Sequence, residues 1–250
     1  MPTLPEVLAR FEPISLAEMD RVALQDRTDT KYVFGSTQLP ELLEHLRAEY
    51  RILEVEGKRG TDYRSLYFDT ADLKHFHEHH NGRSFRSKVR FREYLGSDLC
   101  YLEVKRKTGR GGTDKKRVRV EVIPAVMSPE QQLFAAKASN CAEPLHPQLW
   151  NHFTRFTLVH RTRNERLTID HAMRFTQAGT ERALEGICVA ELKEARADRN
   201  SPFARLMRAL GNRPAGMSKY CIGMILLHDS VKRNAFKPIL LQLERIRNAA

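Results

Sequence analysis

The sequence predicts an α+β fold: an eight-stranded antiparallel β-barrel forming a tunnel with a charged interior, covered by helices. Three observations lead there. First, four stretches carry charged or polar residues at every second position: Arg86, Lys88, Arg90 and Arg92; Glu103, Lys105 and Lys107; Lys115, Arg117, Arg119 and Glu121; and Arg166, Thr168 and Asp170. A period of two is the strand period, so each run sets its charges on one sheet face. Second, about eight strand-like segments are joined mostly by hairpins, and closure is the natural way to hide their edges. Third, the helical segments offer apolar faces that would cover the outside, which turns the charges inward.

The elements follow in order. Ser15-Leu-Ala-Glu18 is a capping box that opens a helix to about Leu24. Arg27 to Phe34 reads as a strand. Thr37 to Glu49 is amphipathic, with Leu39, Leu42, Leu43 and Leu46 on a core face. Tyr50 to Val55 and Tyr63 to Phe68 read as strands. Thr70 caps a short helix that Asn81-Gly82 ends. Strands start at Phe85, Leu99 and Lys115, with a hairpin loop at Thr108 to Asp114. Ser128-Pro-Glu-Gln131 opens a helical stretch over 128–152, broken around Pro144. Phe153 to Arg161, Arg166 to Phe175 and Ile187 to Lys193 are strands. Ser201-Pro202 starts a helix closed by Gly211, and Ser218 to Leu227 is a last apolar helix. The tail from Lys232 is basic, and mobile or helical. With no repeat and no linker-like tract, residues 1–250 read as a single domain.

Composition narrows the partners. The chain has 250 residues, 41% hydrophobic and 29% charged, with a formal charge of +11. It can bury a core, and its excess charge favours an anionic partner. Cys100, Cys141, Cys188 and Cys221 form no CxxC, which suits a reducing, cytoplasmic setting. The N-terminus lacks a secretory pattern, and no apolar run approaches the ~20 residues of a membrane span.

A charged lumen is sensible only if it is wet, internally paired or filled with ligand. Lys31, Arg161 and Lys193 join the cations of the alternating runs, against Asp29, Glu103, Glu121, Asp170 and Glu191. The cations exceed the carboxylates, so an anion is the missing partner. The carboxylates among them suggest a hard divalent cation bridging to phosphate oxygens. An ordinary solvated sheet face would explain any one strand equally well. The run from Arg86 to Arg92 argues against it, because like charges at this spacing repel. A nucleic-acid groove would want aromatics on the basic face. Phe85, Phe91 and Phe175 fall opposite, so no nucleic acid is expected. Three other features have plainer readings. The run His75, His77, His79 and His80 reads as a surface helix end. Gly109-Arg-Gly-Gly112 lacks the ending of a phosphate-binding loop. Asp69 before Thr70 reads as a cap.

At this point the residues resemble a family. RTDTKYVF at 27–34, RSLYFDT at 64–70, KVRFREY at 88–94, YLEVKRK at 101–107, KKRVRV at 115–120, RLTID at 166–170, AELKEA at 190–195 and SKYCIG at 218–223 are similar, in order and spacing, to VTC domains. These are the polyphosphate polymerase branch of the triphosphate tunnel metalloenzymes, a CYTH-like superfamily. The resemblance covers roughly 25–227. It implies transfer of the γ-phosphate of ATP to a growing polyphosphate chain, with a divalent metal such as manganese or magnesium. Carried over by motif, Lys31, Arg90, Arg92, Lys105, Arg161 and Arg166 would be the catalytic phosphate-binding cations. Arg86, Lys88, Lys107, Lys115, Arg117, Arg119, Lys193, Ser218 and Lys219 would hold the substrate. Glu191, with Glu103, would take the metal. Wider superfamily members carry Glu-x-Glu-x-Lys on the first strand, where this chain has Arg27-Thr-Asp29-Thr-Lys31. The implied partners are ATP and polyphosphate or another phosphorylated anion, and any membrane association would come through a partner protein. A triphosphatase or nucleotidyl cyclase, or a silent module binding polyphosphate or inositol phosphates, are the other readings.

Overall fold

The computed structural model describes residues 2–21, 27–109 and 112–249. Its centre is an antiparallel path of eight strands in the order β2-β11-β9-β8-β4-β5-β6-β7. These are β2 (Thr28–Gly35), β4 (Thr61–Asp69), β5 (Arg86–Tyr94), β6 (Leu99–Lys107), β7 (Thr113–Val120), β8 (His146–His160), β9 (Glu165–Gln177) and β11 (Ile187–Glu194). Three short strands join at the side: β1 (Pro13–Ile14) runs parallel to β3 (Tyr50–Leu53), and β10 (Thr180–Ala183) forms a hairpin with β9.

Closure of this path into a barrel is not detected. Among the described residues no ladder joins β2 to β7, the two ends of the path. The reason lies at the outer edge of β2. Tyr32 bridges to Pro214, the Ala215 N–H donates to the Lys31 carbonyl at 2.8 Å, and the Gln242 side-chain amide donates to the Val33 carbonyl at 3.2 Å. These contacts occupy the middle of that edge. Strand β7 is left as an exposed edge carrying Lys115, Lys116, Arg117 and Arg119, charges that oppose edge-to-edge pairing. The sheet still curls, because residues from all eight strands line one cavity.

Helices cover the convex side as the amphipathic pattern requires. Leu39, Leu42, Leu43 and Leu46 of α3 (Leu39–Leu46) are buried against Phe34, Ile169 and Leu192. Two further helices, α1 (Leu4–Ala9) and α2 (Leu16–Arg21), precede it. The former has a Thr3–Glu6 capping box of its own. The continuation of α2 towards Leu24 lies outside the described residues, as does the tip of the hairpin loop at 110–111. Helix α4 (Lys74–His80) is held by Asp69, whose buried carboxylate accepts from the N–H groups of Thr70, His75 and Phe76 at 2.8, 2.8 and 2.9 Å. The reading of Asp69 as a cap is therefore right. His75, read as surface, is in fact buried.

The stretch 128–152 is also corrected. Helix α5 (Pro129–Ser139) ends at Asn140, which takes the left-handed conformation, and β8 begins at His146. From Leu149 to Phe153 burial alternates, with Leu149, Asn151 and Phe153 buried and Trp150 and His152 half-buried. That is a strand pattern that the break at Pro144 concealed. Helix α6 (Pro202–Ala209) completes the convex cover, and the basic tail forms α8 (Lys237–Asn248). No helix among the described residues is long and apolar enough to cross a membrane.

Helix α7 (Lys219–Leu227) does something different. Val33, Ile187 and Val189 share the face of Lys31 and Glu191, and Tyr220, Cys221 and Met224 cluster with them. The helix thus fills one end of the concave side. Gly223 permits this: a Cβ there would lie 2.6 Å from a Phe175 ring carbon. The start of α7 carries Ser218 and Lys219 into the lumen.

Candidate functional site: a cationic cavity on the concave face

Alternation along the strands builds the site. The concave face encloses a cavity of about 790 Å³, a ligand-sized space. Thirteen lysines and arginines line it against five carboxylates. Register arranges part of this charge in rows. Arg90, Glu103 and Arg117 stand opposite one another on β5, β6 and β7. The next row, about 7 Å along the strands, is Lys88, Lys105 and Lys115, with no carboxylate.

Each carboxylate at the centre is gripped by two cations. Arg90 donates to Glu103 through Nε at 3.0 Å and Nη2 at 2.7 Å, and Lys115 Nζ lies 2.5 Å from the other oxygen. Arg155 and Lys219 hold Asp170. Lys31 contacts Glu191, and Lys193 Nζ lies 2.6 Å from it. Burial alone would raise the Glu103 carboxyl, but Arg90, Arg92 and Lys115 hold it far below the usual range. Asp170 is likewise held down against its burial, by Arg155 and Lys219.

Three other cations lack such a grip. Among the described residues, Lys88, Arg92 and Lys105 have no carboxylate at ion-pair distance. Arg92 donates to Ser65 Oγ at 3.1 Å and lies over the Tyr63 and Phe153 rings. Burial and the neighbouring Arg90 push Arg92 down to about 10. Burial, more than any neighbouring charge, also lowers Lys88 and Lys105. An anion in the cavity would reverse these shifts.

The structure brings most of the sequence-derived set together: Lys31, Lys88, Arg90, Arg92, Glu103, Lys105, Lys115, Arg117, Arg166, Glu191, Lys193, Ser218 and Lys219 all line the cavity. Four residues do not. Arg161 is corrected: it lies past the end of β8 and pairs with Glu12. It shares strand parity with Arg155 but stands about 20 Å further along. Arg86 and Lys107 face each other beyond the Lys88 row, and Arg86 donates to the Arg83 carbonyl at 2.6 Å. Arg119 stands opposite Tyr101 on the exposed β7 edge, donating to the Asp98 carbonyl at 3.2 Å. Sequence reasoning missed Arg155 as a site residue. It is the one cation within a long strand of uncharged residues and histidines, so no alternation marked it. Tyr67 was missed as well. It is buried in the cavity wall, and its hydroxyl accepts from Arg90 Nη1 at 3.1 Å.

For a metal, the donors are sparse. Among the described residues no three histidine, cysteine or acidic side chains gather at ligating distance. A cage made by protein alone does not fit. A divalent ion held by one carboxylate and by substrate phosphates does, as is usual for magnesium. Of the two carboxylates expected to take a metal, Glu191 is the more accessible. Its side chain is 19% exposed and its partners are two flexible lysines, whereas Glu103 is 2% exposed and locked by an arginine fork. Glu103 is engaged by Arg90 and Lys115.

The fold is thus a curled antiparallel sheet whose concave face is a cationic cavity, a protein class built to hold an anion. The chain belongs to the VTC domain family, whose model matches residues 26–228. Among solved structures, it is similar to a proposed adenylate cyclase from Bacillus halodurans, with a TM-score of 0.50 and 12% identity over 77% of this chain and 94% of that one. It is also similar to a proposed adenylyl cyclase from Hippeastrum described as having a dominant triphosphatase activity. There the TM-score is 0.47, with 16% identity over 78% of this chain and 93% of that one. No curated protein sequence matches it.

Proposed function

We propose that this protein is a metal-dependent polyphosphate polymerase, transferring the γ-phosphate of ATP to a growing polyphosphate chain. The observation that carries the reading is the row Lys88, Lys105 and Lys115, three cations abreast, of which Lys115 alone reaches a carboxylate, Glu103 of the neighbouring row. Like charges placed directly across strands destabilise a sheet, so the row makes sense with a phosphate chain lying on it. Arg86 and Lys107 extend the cationic strip past the cavity, which suits a chain better than a single triphosphate.

The chemistry needs positioning and charge neutralisation more than covalent help. Arg90, Arg92 and Arg155 offer planar forks for phosphate oxygens, and the lysines act as point charges. A terminal oxygen of the bound chain attacks the γ-phosphorus in line. The bond from that phosphorus to the β–γ bridging oxygen breaks, and ADP leaves. A divalent ion bound with the triphosphate at Glu191 would supply further neutralisation at the phosphate oxygens. The test is incubation with ATP and Mn²⁺, with ADP, phosphate, cyclic nucleotide and polymer separated. Polymer supports the reading. Free phosphate alone would identify a triphosphatase, and binding without turnover a silent module.

A further inference from the structure

The two ends of the cavity differ chemically. At one end α7 fills the lumen, and the lining stops near Lys88 and Val189. The other end is rimmed by three segments that each bring an exposed large apolar side chain. Leu16 comes from α2, Val55 from the turn after β3, and Leu95 from the β5–β6 turn, with exposures of 44%, 37% and 42%. One exposed leucine needs no explanation. Three converging on the rim of a strongly cationic cavity do. Just inside them are half-buried Tyr94 and Tyr101, their ring centroids 6.2 Å apart, with the Arg117 guanidinium 4.6 Å from the Tyr101 ring centre.

We infer that this rim is a nucleoside subsite, where a planar base packs against the tyrosines, Arg117 and the apolar rim while its phosphates reach the arginines and lysines inside. An inorganic polyphosphate or an inositol phosphate has no planar apolar part to place there; a nucleotide does. Aromatic faces and guanidinium planes accept any base, so the subsite selects nucleotides over inorganic anions with little choice among bases. The inference rests on the reading of the cavity as an ATP site.

The experiment is calorimetric titration, without added metal, of two probes: the β,γ-imido analogue of ATP and inorganic tripolyphosphate. Wild type is compared with Tyr101→Ala and with Leu95→Ser, the second variant touching only the rim. The expected result is a loss of about tenfold in affinity for the analogue in Tyr101→Ala, a smaller loss in Leu95→Ser, and unchanged tripolyphosphate binding in both. Equal losses for the two probes, or no loss for the analogue, would overturn the subsite and leave the phosphate cavity standing. Failure of both probes to bind the wild type would overturn the ATP reading and the subsite with it.

Discussion

Arg155 and Asp170 face each other across β8 and β9, joined by hydrogen bonds from Nε to Oδ1 at 2.5 Å and from Nη2 to Oδ2 at 2.8 Å. Lys219 Nζ adds a third contact to Asp170 at 2.5 Å. This pair ties the sheet to the start of α7 inside the cavity. Removing the buried carboxylate leaves two cations without their charge partner. Asp170→Asn is expected to lower stability by about 3–5 kcal/mol, measured by urea unfolding. Because an anion can replace the lost charge, tripolyphosphate should stabilise Asp170→Asn more than wild type. Equal stabilisation would argue that the ligand does not reach Arg155 and Lys219.

Glu103 and Glu191 separate structure from chemistry. Glu103→Gln is expected to destabilise the fold, since it loosens Arg90 and Lys115, while the metal concentration needed for turnover stays the same. Glu191→Gln should abolish metal-dependent turnover and keep most of the anion binding. Metal titrations of activity on both variants check this, and undiminished turnover in Glu191→Gln would sink its assignment.

The row of lysines and the displaced arginine give a contrast within one residue class. Lys88→Ala and Lys105→Ala should each weaken polyphosphate binding by up to about 1.5–3 kcal/mol, the range for a charged hydrogen bond. Arg161→Ala, paired with Glu12 outside the cavity, should leave binding unchanged.

The lowered values of Lys88 and Lys105 fix a pH dependence. Below the ordinary lysine value of 10.5, the unfolded chain binds more protons at these positions than the empty folded protein. Stability without ligand should therefore rise with pH through that window. Anion binding should do the opposite: it favours the charged lysines, takes up protons, and weakens as pH rises towards 10.5. Calorimetry in buffers of different ionisation enthalpy measures the proton uptake, and proton release would contradict the burial of these lysines.

Asp69 and Tyr220 couple the two helices at the filled end, the phenol donating to the carboxylate at 2.5 Å. Asp69→Ala leaves the N–H groups of Thr70 and, at the start of α4, of His75 and Phe76 without that acceptor. The expected cost is about 3 kcal/mol or more, read from denaturant unfolding.

How much of this was legible follows from particular residues. The runs on β5, β6, β7 and the first half of β9 alternate so regularly that their concave faces could be read directly. On β8 the second half, Phe156 to His160, is buried at every position, so the period of two disappears and Arg155 carries no mark. The pairing of Lys31 with Glu191 joins strands 160 residues apart, and no local pattern announces it. The open edge of β2 was equally hidden, because Pro214 and Ala215 occupy it from a segment without regular structure. Leu95, Val55 and Leu16 come from three separate segments, and only the folded rim brings them together.

The most direct test of the central claim follows label from γ-³²P-ATP in the presence of Mn²⁺ and a short polyphosphate primer. The account predicts that label enters polymer in step with ADP release, and that the primer lengthens. ADP release matched by free labelled phosphate, with no label in polymer, would contradict it.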